Sequence, residues 1–565
     1  MTIFPERLKT LHSQTPDRVA VILQFSTRDD LPVTYARLLR GANAYARLLA
    51  REGIQPGEVA ILILQHGEDL VYAFWGAVLH GAIPSIMPFL TEKLSPERYR
   101  ADLSALVAVT KPAAIITYPE FARDVQLSVN PDSSVRKVIL SGQVDEQSFF
   151  DFDSHAGFHR SPEDIVLLQH SSGTTGLQKG VALSHQAVFN QLDAYSKSLS
   201  LNTSDVIVSW LPLYHDMGLI AGFLMPILSG VPLVLMSPFD WVRAPYRLMH
   251  SVSKYHGTLT WLPNFAYNFC AQKIRDRHIE SVDLSSWRAV INCSEPVRWE
   301  SHQAFHEKFK SYGLKFEALQ TSYAMAENVF GVTQSRLGSE PVVEEIDREA
   351  FMVERVAKAP QDGRPAMKMM SSGRPISNTR IKILDESGKE VPERVVGEVA
   401  LQSDCMLTGY YNRPDLSKKA FHDDWYLTGD YGYISNGEVF ISGRKKDMII
   451  VGGKNIYPQD LESLSYEVKG VHAGRSVAFG IFDESQGTEE VVIIAEADTD
   501  DEEKCKHIAE AIRQHVTKNS AITLRHVKVV GPKWILKTSS GKTARSANKE
   551  KFLKELGESN KKQPV

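Results

Sequence analysis

The chain has 565 residues, 43% of them hydrophobic and 23% charged, with a formal net charge of -4. That length is too great for one hydrophobic core and implies roughly two to four structural units. The balanced charge excludes the strongly basic face of a nucleic-acid binder.

In chain order, the N-terminal stretch has no basic region followed by an apolar one, so no export signal is expected. Short β-branched runs then alternate with helical stretches: Val59 to Leu64, Ala113 to Tyr118, Lys137 to Leu140 and Ile165 to Leu168. Behind the last of these, residues 171 to 180 read Ser-Ser-Gly-Thr-Thr-Gly-Leu-Gln-Lys-Gly. Small residues let backbone N–H groups turn toward an anion, hydroxyls add donors, and Lys179 brings a mobile positive charge, so this segment predicts a phosphate cradle. It is not a Walker loop. Neither is Ser540-Gly541-Lys542-Thr543, because Leu536 stands where the first glycine is needed.

The alternation continues through Val206 to Trp210, Val231 to Met236, Thr258 to Leu262, Ala289 to Asn292 and Phe316 to Leu319, predicting parallel sheets with helices on their faces. Met217 to Phe239 carries no charge and is as long as a membrane span, but Gly218, Gly222, Pro226, Gly230 and Pro232 interrupt it. A short buried helix, a turn and a strand are expected there instead. The four cysteines, Cys270, Cys293, Cys405 and Cys505, lack paired spacing, which argues against a disulfide framework or zinc knuckle and fits a reducing cytoplasm.

Several segments carry groups that nucleotide chemistry can use. His215 and Asp216 follow a strand, where open α/β sheets build sites. The turn Asn292-Cys293-Ser294-Glu295-Pro296 closes another strand, and its backbone and Glu295 could meet an adenine edge. Tyr323 could stack on a base, and Glu327, about one helical turn on, could hold magnesium through water. From Ser372 the texture becomes short strands split by turns, a small antiparallel sheet or barrel. Asp430 could accept from both ribose hydroxyls, with Arg444 reinforcing it. A separate α+β pattern begins at 444, with strand candidates Val477 to Ile481 and Glu490 to Ala495 and a helix near Glu503 to Lys518. Lys542 sits in a polar turn near the C-terminus. Candidate walls for an acyl pocket are Trp210, Met217, Trp261, Phe265, Tyr267 and Cys293, each with plain core as the equal reading.

In this order, and over nearly the full length, the motifs resemble the adenylate-forming superfamily of acyl-CoA synthetases, peptide-synthetase adenylation domains and luciferases. The resemblance implies that the loop with Ser172, Gly173, Thr174, Thr175, Gly176 and Lys179 holds the triphosphate. It further implies that Ser294, Glu295, Pro296, Ser322, Tyr323, Ala324 and Met325 surround adenine, and that Asp430 and Arg444 hold ribose. Glu327 and Thr175 would serve magnesium, Lys542 would be the adenylation lysine, His215 would line the passage to the carboxylate, and Lys446 would be the hinge. The cofactors implied are ATP and magnesium. Trp210 to Leu219, Ala326 before Glu327, and Asn455 to Glu462 are similar to fatty acyl-AMP ligases, which charge acyl carrier proteins. Val343 to Phe351 is similar to that branch's insertion, which restrains the small domain. Ala324, where glycine is commoner, and Ser294 after Cys293, where small pairs prevail, depart from the pattern.

The expected architecture is α/β. A large N-terminal domain, 1–443, contains two doubly wound sheets, an insertion at 331–370 and a β-barrel-like subdomain at 372–443; a mobile α+β C-terminal domain, 444–565, follows. The expected function is ATP-dependent activation of a fatty acid and transfer to a holo acyl carrier protein in the cytoplasm. Coenzyme A is the less favoured acceptor, a non-catalytic acyl-adenylate-binding scaffold a minor alternative, and no nucleic acid or membrane span is expected.

Overall fold

Val59–Ile63 and Leu233–Met236 are apolar at every position rather than at alternate ones, Ala114–Thr117 is so up to its final threonine, and each is buried throughout as a strand. Strands covered on both faces read this way, and they assemble into parallel sheets. The computed structural model describes residues 2–89, 96–142, 151–171, 179–451, 454–483, 488–520, 522, 524–538 and 541–561. By packing, the chain divides into two compact units. One comprises Met1–Pro341, Ser372–Arg380 and Gln402–Asp424, and the other Val342–Ser371, Ile381–Leu401 and Trp425–Val565.

The first unit holds two seven-stranded sheets. One runs in the order Leu319–Thr321, Ala289–Asn292, Leu259–Leu262, Ile207–Ser209, Leu233–Met236, Val19–Gln24 and Leu31–Thr34. All neighbours are parallel except the last pair. The other runs Gly409–Tyr410, Lys179–Ser184, Ile165–Ser171, Ile83–Ile86, Val59–Ile63, Ala114–Thr117 and Lys137–Leu140. Its first two pairings are antiparallel and the rest parallel. One face of this second sheet packs Ile61, Ile115 and Leu168 against Tyr99, Leu103 and Phe121.

Most expected strands are present, and three corrections follow from local chemistry. Ile83–Ile86 was not anticipated, because Pro84 and Ser85 break its apolar run, yet Pro84 pairs with Ala60 inside the sheet. Val19–Gln24 and Leu31–Thr34 were also unforeseen. The expected strand at Phe316 begins only at Leu319, since Phe316–Ala318 forms a 3-10 turn. Met217 to Phe239 resolves into an eight-residue π-helical stretch, Met217–Leu224, the helix Met225–Ser229, a left-handed turn at Gly230 and the strand Leu233–Met236. No helix among the described residues is long and apolar enough to cross a membrane.

The second unit contains an antiparallel sheet in which Gly397–Ser403 pairs with Trp425–Ser435 and the latter with Glu438–Arg444. The hairpin Val343–Asp347 with Ala366–Met370 belongs to the same unit. Phe351 of this insertion is buried with Tyr433, Phe440 and Tyr457. A three-stranded sheet, Val471–Asp483, Thr488–Ala497 and His526–Val530, packs with the helices Pro458–Tyr466 and Glu502–Ser520 around Ile449, Leu461, Ile493 and Ile512.

Candidate active site

Because five strands of the first sheet run parallel from Leu319–Thr321 to Leu233–Met236, their carboxyl ends share one edge, the place where such sheets bind ligands. Three of the expected segments leave that edge. After Ala289–Asn292, Ser294 takes φ +70, a left-handed conformation that ordinary residues seldom adopt. Its Oγ lies 3.7 Å from Met217 Sδ, which brings this turn beside the His215 segment. The Glu295 carboxylate accepts the Phe265 N–H at 2.9 Å and so caps the helix Asn264–Lys273, whose preceding residue is Pro263 and offers no cap. Beneath the turn, the Asn292 amide nitrogen lies 2.9 Å from Asn264 Oδ1 and 3.1 Å from His302 Nε2. Burial holds His302 down to about 3, so it is neutral.

After Leu319–Thr321, the Ser322 N–H donates to Asn292 O and its hydroxyl to Thr333 O, at 3.0 and 2.7 Å. Half-buried Tyr323 is pinned through its main chain, donating to Thr333 Oγ1 at 3.0 Å and accepting from Val332 at 2.8 Å. Ala324 bridges to Gly331, and the Met325 N–H donates to Phe330 O at 2.8 Å. After Ile207–Ser209, His215 Nδ1 lies 2.5 Å from Asp216 Oδ1, and the same Asp216 oxygen accepts the Met217 N–H at 2.8 Å. The chain there runs so close that a Cβ on Gly218 would meet Pro212 O at 2.2 Å.

Ser172, Gly173, Thr174, Thr175 and Gly176 lie outside the described residues. Lys179 opens a strand, and its ammonium sits 4.7 Å from the Tyr410 ring centroid. The Tyr410 hydroxyl donates to Glu327 Oε1 at 2.9 Å, and Glu327 is 9% exposed. Lys179 and Glu327, expected to serve phosphate and metal, therefore meet the same phenol. Sequence reading missed Tyr410. Its only local mark is the Gly-Tyr-Tyr run at 409–411, whereas its placement comes from antiparallel pairing with Val181, far away in the chain.

The aromatic pocket candidates separate by what their polar ends do. Trp261 donates to Tyr195 Oη at 3.0 Å, and Tyr267 donates to Val290 O at 2.8 Å, so both are tied into the core. Trp210 instead stacks flat on Trp241, with centroids 3.6 Å apart and planes 3° apart, and Phe265 sets its edge against both. Both indole N–H groups are buried without a partner among the described residues. Going across the sheet edge, the polar turns at Tyr323 and Ser294 thus give way to Phe265, Trp210 and Trp241.

The second unit positions the remaining residues. Asp430 stands opposite Arg444 in the strand register, and its buried carboxylate pairs with Arg444 Nε at 3.1 Å. Lys446 lies in the one-turn segment Lys445–Asp447. Desolvation holds its ammonium below the usual lysine range, with Asp447 opposing and Arg444 and Arg545 adding to the effect. Asp447 in turn pairs with Arg545 at 2.7 Å. Lys542 sits in a turn in which Thr538 donates to Lys542 O at 2.7 Å and Lys542 N–H donates to Thr538 Oγ1 at 3.1 Å. Gly541 supplies the φ of +88 that closes it.

Comparison with known proteins places the chain in a family. A family model described as AMP-binding enzyme matches residues 8–411. The chain is 30% identical over 583 residues to the long-chain-fatty-acid–AMP ligase FadD26 of Mycobacterium bovis, covering 97% of each. It is 29% identical over 566 residues to the medium-chain-fatty-acid–[acyl-carrier-protein] ligase JamA of Moorena producens, covering 96% of this chain and 93% of the relative. A solved structure from work on fatty acyl-adenylate ligases of E. coli and L. pneumophila superposes with a TM-score of 0.88 at 27% identity, covering 99% of this chain and 98% of that one. With residues 8–411 matched, the chain belongs to the AMP-binding enzyme family and is an adenylate-forming ligase.

Proposed function

We propose that the protein activates a fatty acid with ATP to an acyl-adenylate, releasing pyrophosphate, and passes the acyl group to the phosphopantetheine thiol of a holo acyl carrier protein. The observation that carries the first step is the convergence of Lys179 and Glu327 on Tyr410. A cation for phosphate stands over the face of this ring, and a carboxylate for a hard metal ion at its hydroxyl. The donor set fits magnesium: Glu327 offers carboxylate oxygen, and no cluster of three or more His, Cys, Asp or Glu ligands exists among the described residues, which suits an ion held largely by the nucleotide's own phosphates. Magnesium, when bound, neutralises charge on the phosphates and the departing pyrophosphate.

A carboxylate is a poor acyl donor because its leaving group would be oxide. Attack of its oxygen on the α-phosphorus forms a new P–O bond, breaks the bond to pyrophosphate and leaves an anhydride whose leaving group is AMP. No side-chain nucleophile is required, so the residues' work is positioning and electrostatics. Tyr323 and the Ser294 turn would hold adenine, chiefly through backbone and ring, since the Glu295 carboxylate caps a helix. Asp430, steadied by Arg444, would hold ribose, and His215 would line the carboxylate's approach. The Phe265, Trp210 and Trp241 end of the sheet edge supports an aliphatic substrate, since three apolar rings pack together there.

The carrier-protein acceptor is supported by similarity to JamA, a ligase named for acyl-carrier-protein, and by the insertion at 331–370. Arg355 of that insertion bonds Asn455 Oδ1 at 3.1 Å, and Phe351 packs on Tyr457, consistent with restraint of the segment after Lys446. The test is pyrophosphate release across fatty acids of graded length, followed by competition between coenzyme A and holo carrier protein. Release with aliphatic acids and label on the carrier are expected. Abundant acyl-CoA overturns the acceptor, and absence of release with any fatty acid overturns the activity in favour of a scaffold.

A further inference from the structure

One short segment, Leu407 to Tyr411, ties together two groups, Lys179 and Glu327, that lie far apart in the first unit's sequence. The Thr408 N–H donates to Ala182 O at 2.9 Å and the Tyr411 N–H to Gly180 O at 2.8 Å, so the segment runs along the strand that Lys179 opens. The Leu407 N–H donates to the main-chain carbonyl of Glu327 at 2.8 Å. Tyr410 completes the clamp with its side chain, through its hydroxyl on the Glu327 carboxylate and its ring beneath the Lys179 ammonium. Its own N–H is fixed by Ser417 Oγ at 2.9 Å, and its side chain is nearly buried, so the ring has little freedom to turn.

Glu327 needs such support. Two residues on, Val329 adopts φ +62 and ψ -57, a conformation that a β-branched residue holds only when its surroundings impose it. Asn328 helps impose it, donating to Gly331 O at 2.9 Å and accepting from the Ser403 hydroxyl. A turn under this strain does not aim a carboxylate by itself. The phenol is a charge-assisted donor to one carboxylate oxygen and so sets the plane and direction of the other. A ring face attracts an ammonium through its quadrupole without neutralising it, as a carboxylate would. Lys179 is thereby held at the same ring that bonds Glu327 while its charge stays available to an anion.

We infer that Tyr410 is a positioning residue that orients Glu327 toward a divalent cation and Lys179 toward the phosphates of the nucleotide. This rests on the adenylation reading above, and its test separates the two. Tyr410→Phe removes the hydroxyl and keeps the ring; Tyr410→Ala removes both. In Tyr410→Phe, the magnesium concentration for half-maximal pyrophosphate release should rise about tenfold, the size of one hydrogen bond to a charged group, with the KM for fatty acid unchanged. Binding of Mn2+ in the presence of ATP, followed by electron paramagnetic resonance without any fatty acid, should weaken by the same factor. Tyr410→Ala should show this and in addition a raised KM for ATP, which the phenylalanine variant restores. An unchanged magnesium requirement and unchanged Mn2+ binding in Tyr410→Phe would overturn the role, and so would a raised requirement and weakened binding accompanied by a matching loss of thermal stability. If the unsubstituted protein binds Mn2+ with ATP but turns over no fatty acid, the activity is wrong while the Tyr410 role is still decided by binding.

Discussion

Lys542 stands on a turn whose main chain is closed on itself by Thr538, so its side chain can change without disturbing a packed element. Lys542→Ala is expected to lower pyrophosphate release by about 10²–10³, the scale for losing one donor aimed at developing charge. Acyl transfer from a supplied acyl-adenylate should survive, and release persisting near the normal rate would remove the lysine from the first step. Asp430 makes a different case. Its partner Arg444 is half-exposed, so the ion pair adds little to stability, on the order of 1 kcal/mol or less. Asp430→Asn should therefore unfold at nearly the same urea concentration while binding ATP more weakly; a large stability loss with normal ATP binding would make the pair structural.

At the scale of elements, close approach decides more than propensity. The π-helical stretch after His215 begins where Gly218 passes the Pro212 carbonyl with no room for a methyl group. Pro212 O also accepts the His215 N–H at 3.2 Å, so displacing it moves the histidine. Gly218→Ala should cost about 1–3 kcal/mol in denaturant unfolding, as overpacking does, and raise the KM for the acid. An unchanged midpoint would mean the stretch can shift freely. In the insertion, Phe351→Ala should cost the second unit about 3–5 kcal/mol, because the ring is buried against Tyr433 and Tyr457. If the insertion restrains the segment after Lys446, the same change should increase acyl-CoA formation; stability loss with acyl-CoA unchanged would separate packing from acceptor choice.

Across the whole molecule, buried neutral histidines set the response to acid. His185 accepts the Phe4 N–H on Nδ1 at 3.2 Å, which only an unprotonated ring nitrogen can do, and burial lowers it to about 4. His302 is held at about 3 by burial. An unfolded histidine titrates near 6.5, so the unfolded chain binds more protons below that pH. The stability these two groups permit is complete above about pH 6.5 and is lost as pH falls toward 4, by about 1.4 kcal/mol per pH unit for each. Urea midpoints measured from pH 7.5 down to 5 should fall accordingly; a flat profile would mean that one or both rings are charged in the folded state.

From the sequence alone, the alternation of apolar runs with helical stretches determined a parallel α/β body, because strands covered on both faces must be apolar throughout and must be joined by crossovers. The same logic placed His215, the Ser294 turn and Tyr323 at strand ends, and breaks at glycine and proline excluded a membrane span at Met217 to Phe239. Those features are local, or follow from short-range connections. The contacts that give the site its geometry are neither. Tyr410 reaches Lys179 and Glu327 through a strand pairing with Val181, Trp210 finds Trp241 across two neighbouring strands, and Glu295 caps a helix that starts thirty residues earlier. No periodicity or spacing encodes such pairings, since they exist only once sheet order and register have brought distant segments together. The tertiary structure therefore decided which of the recognised groups share a partner, and which aromatic residues are core.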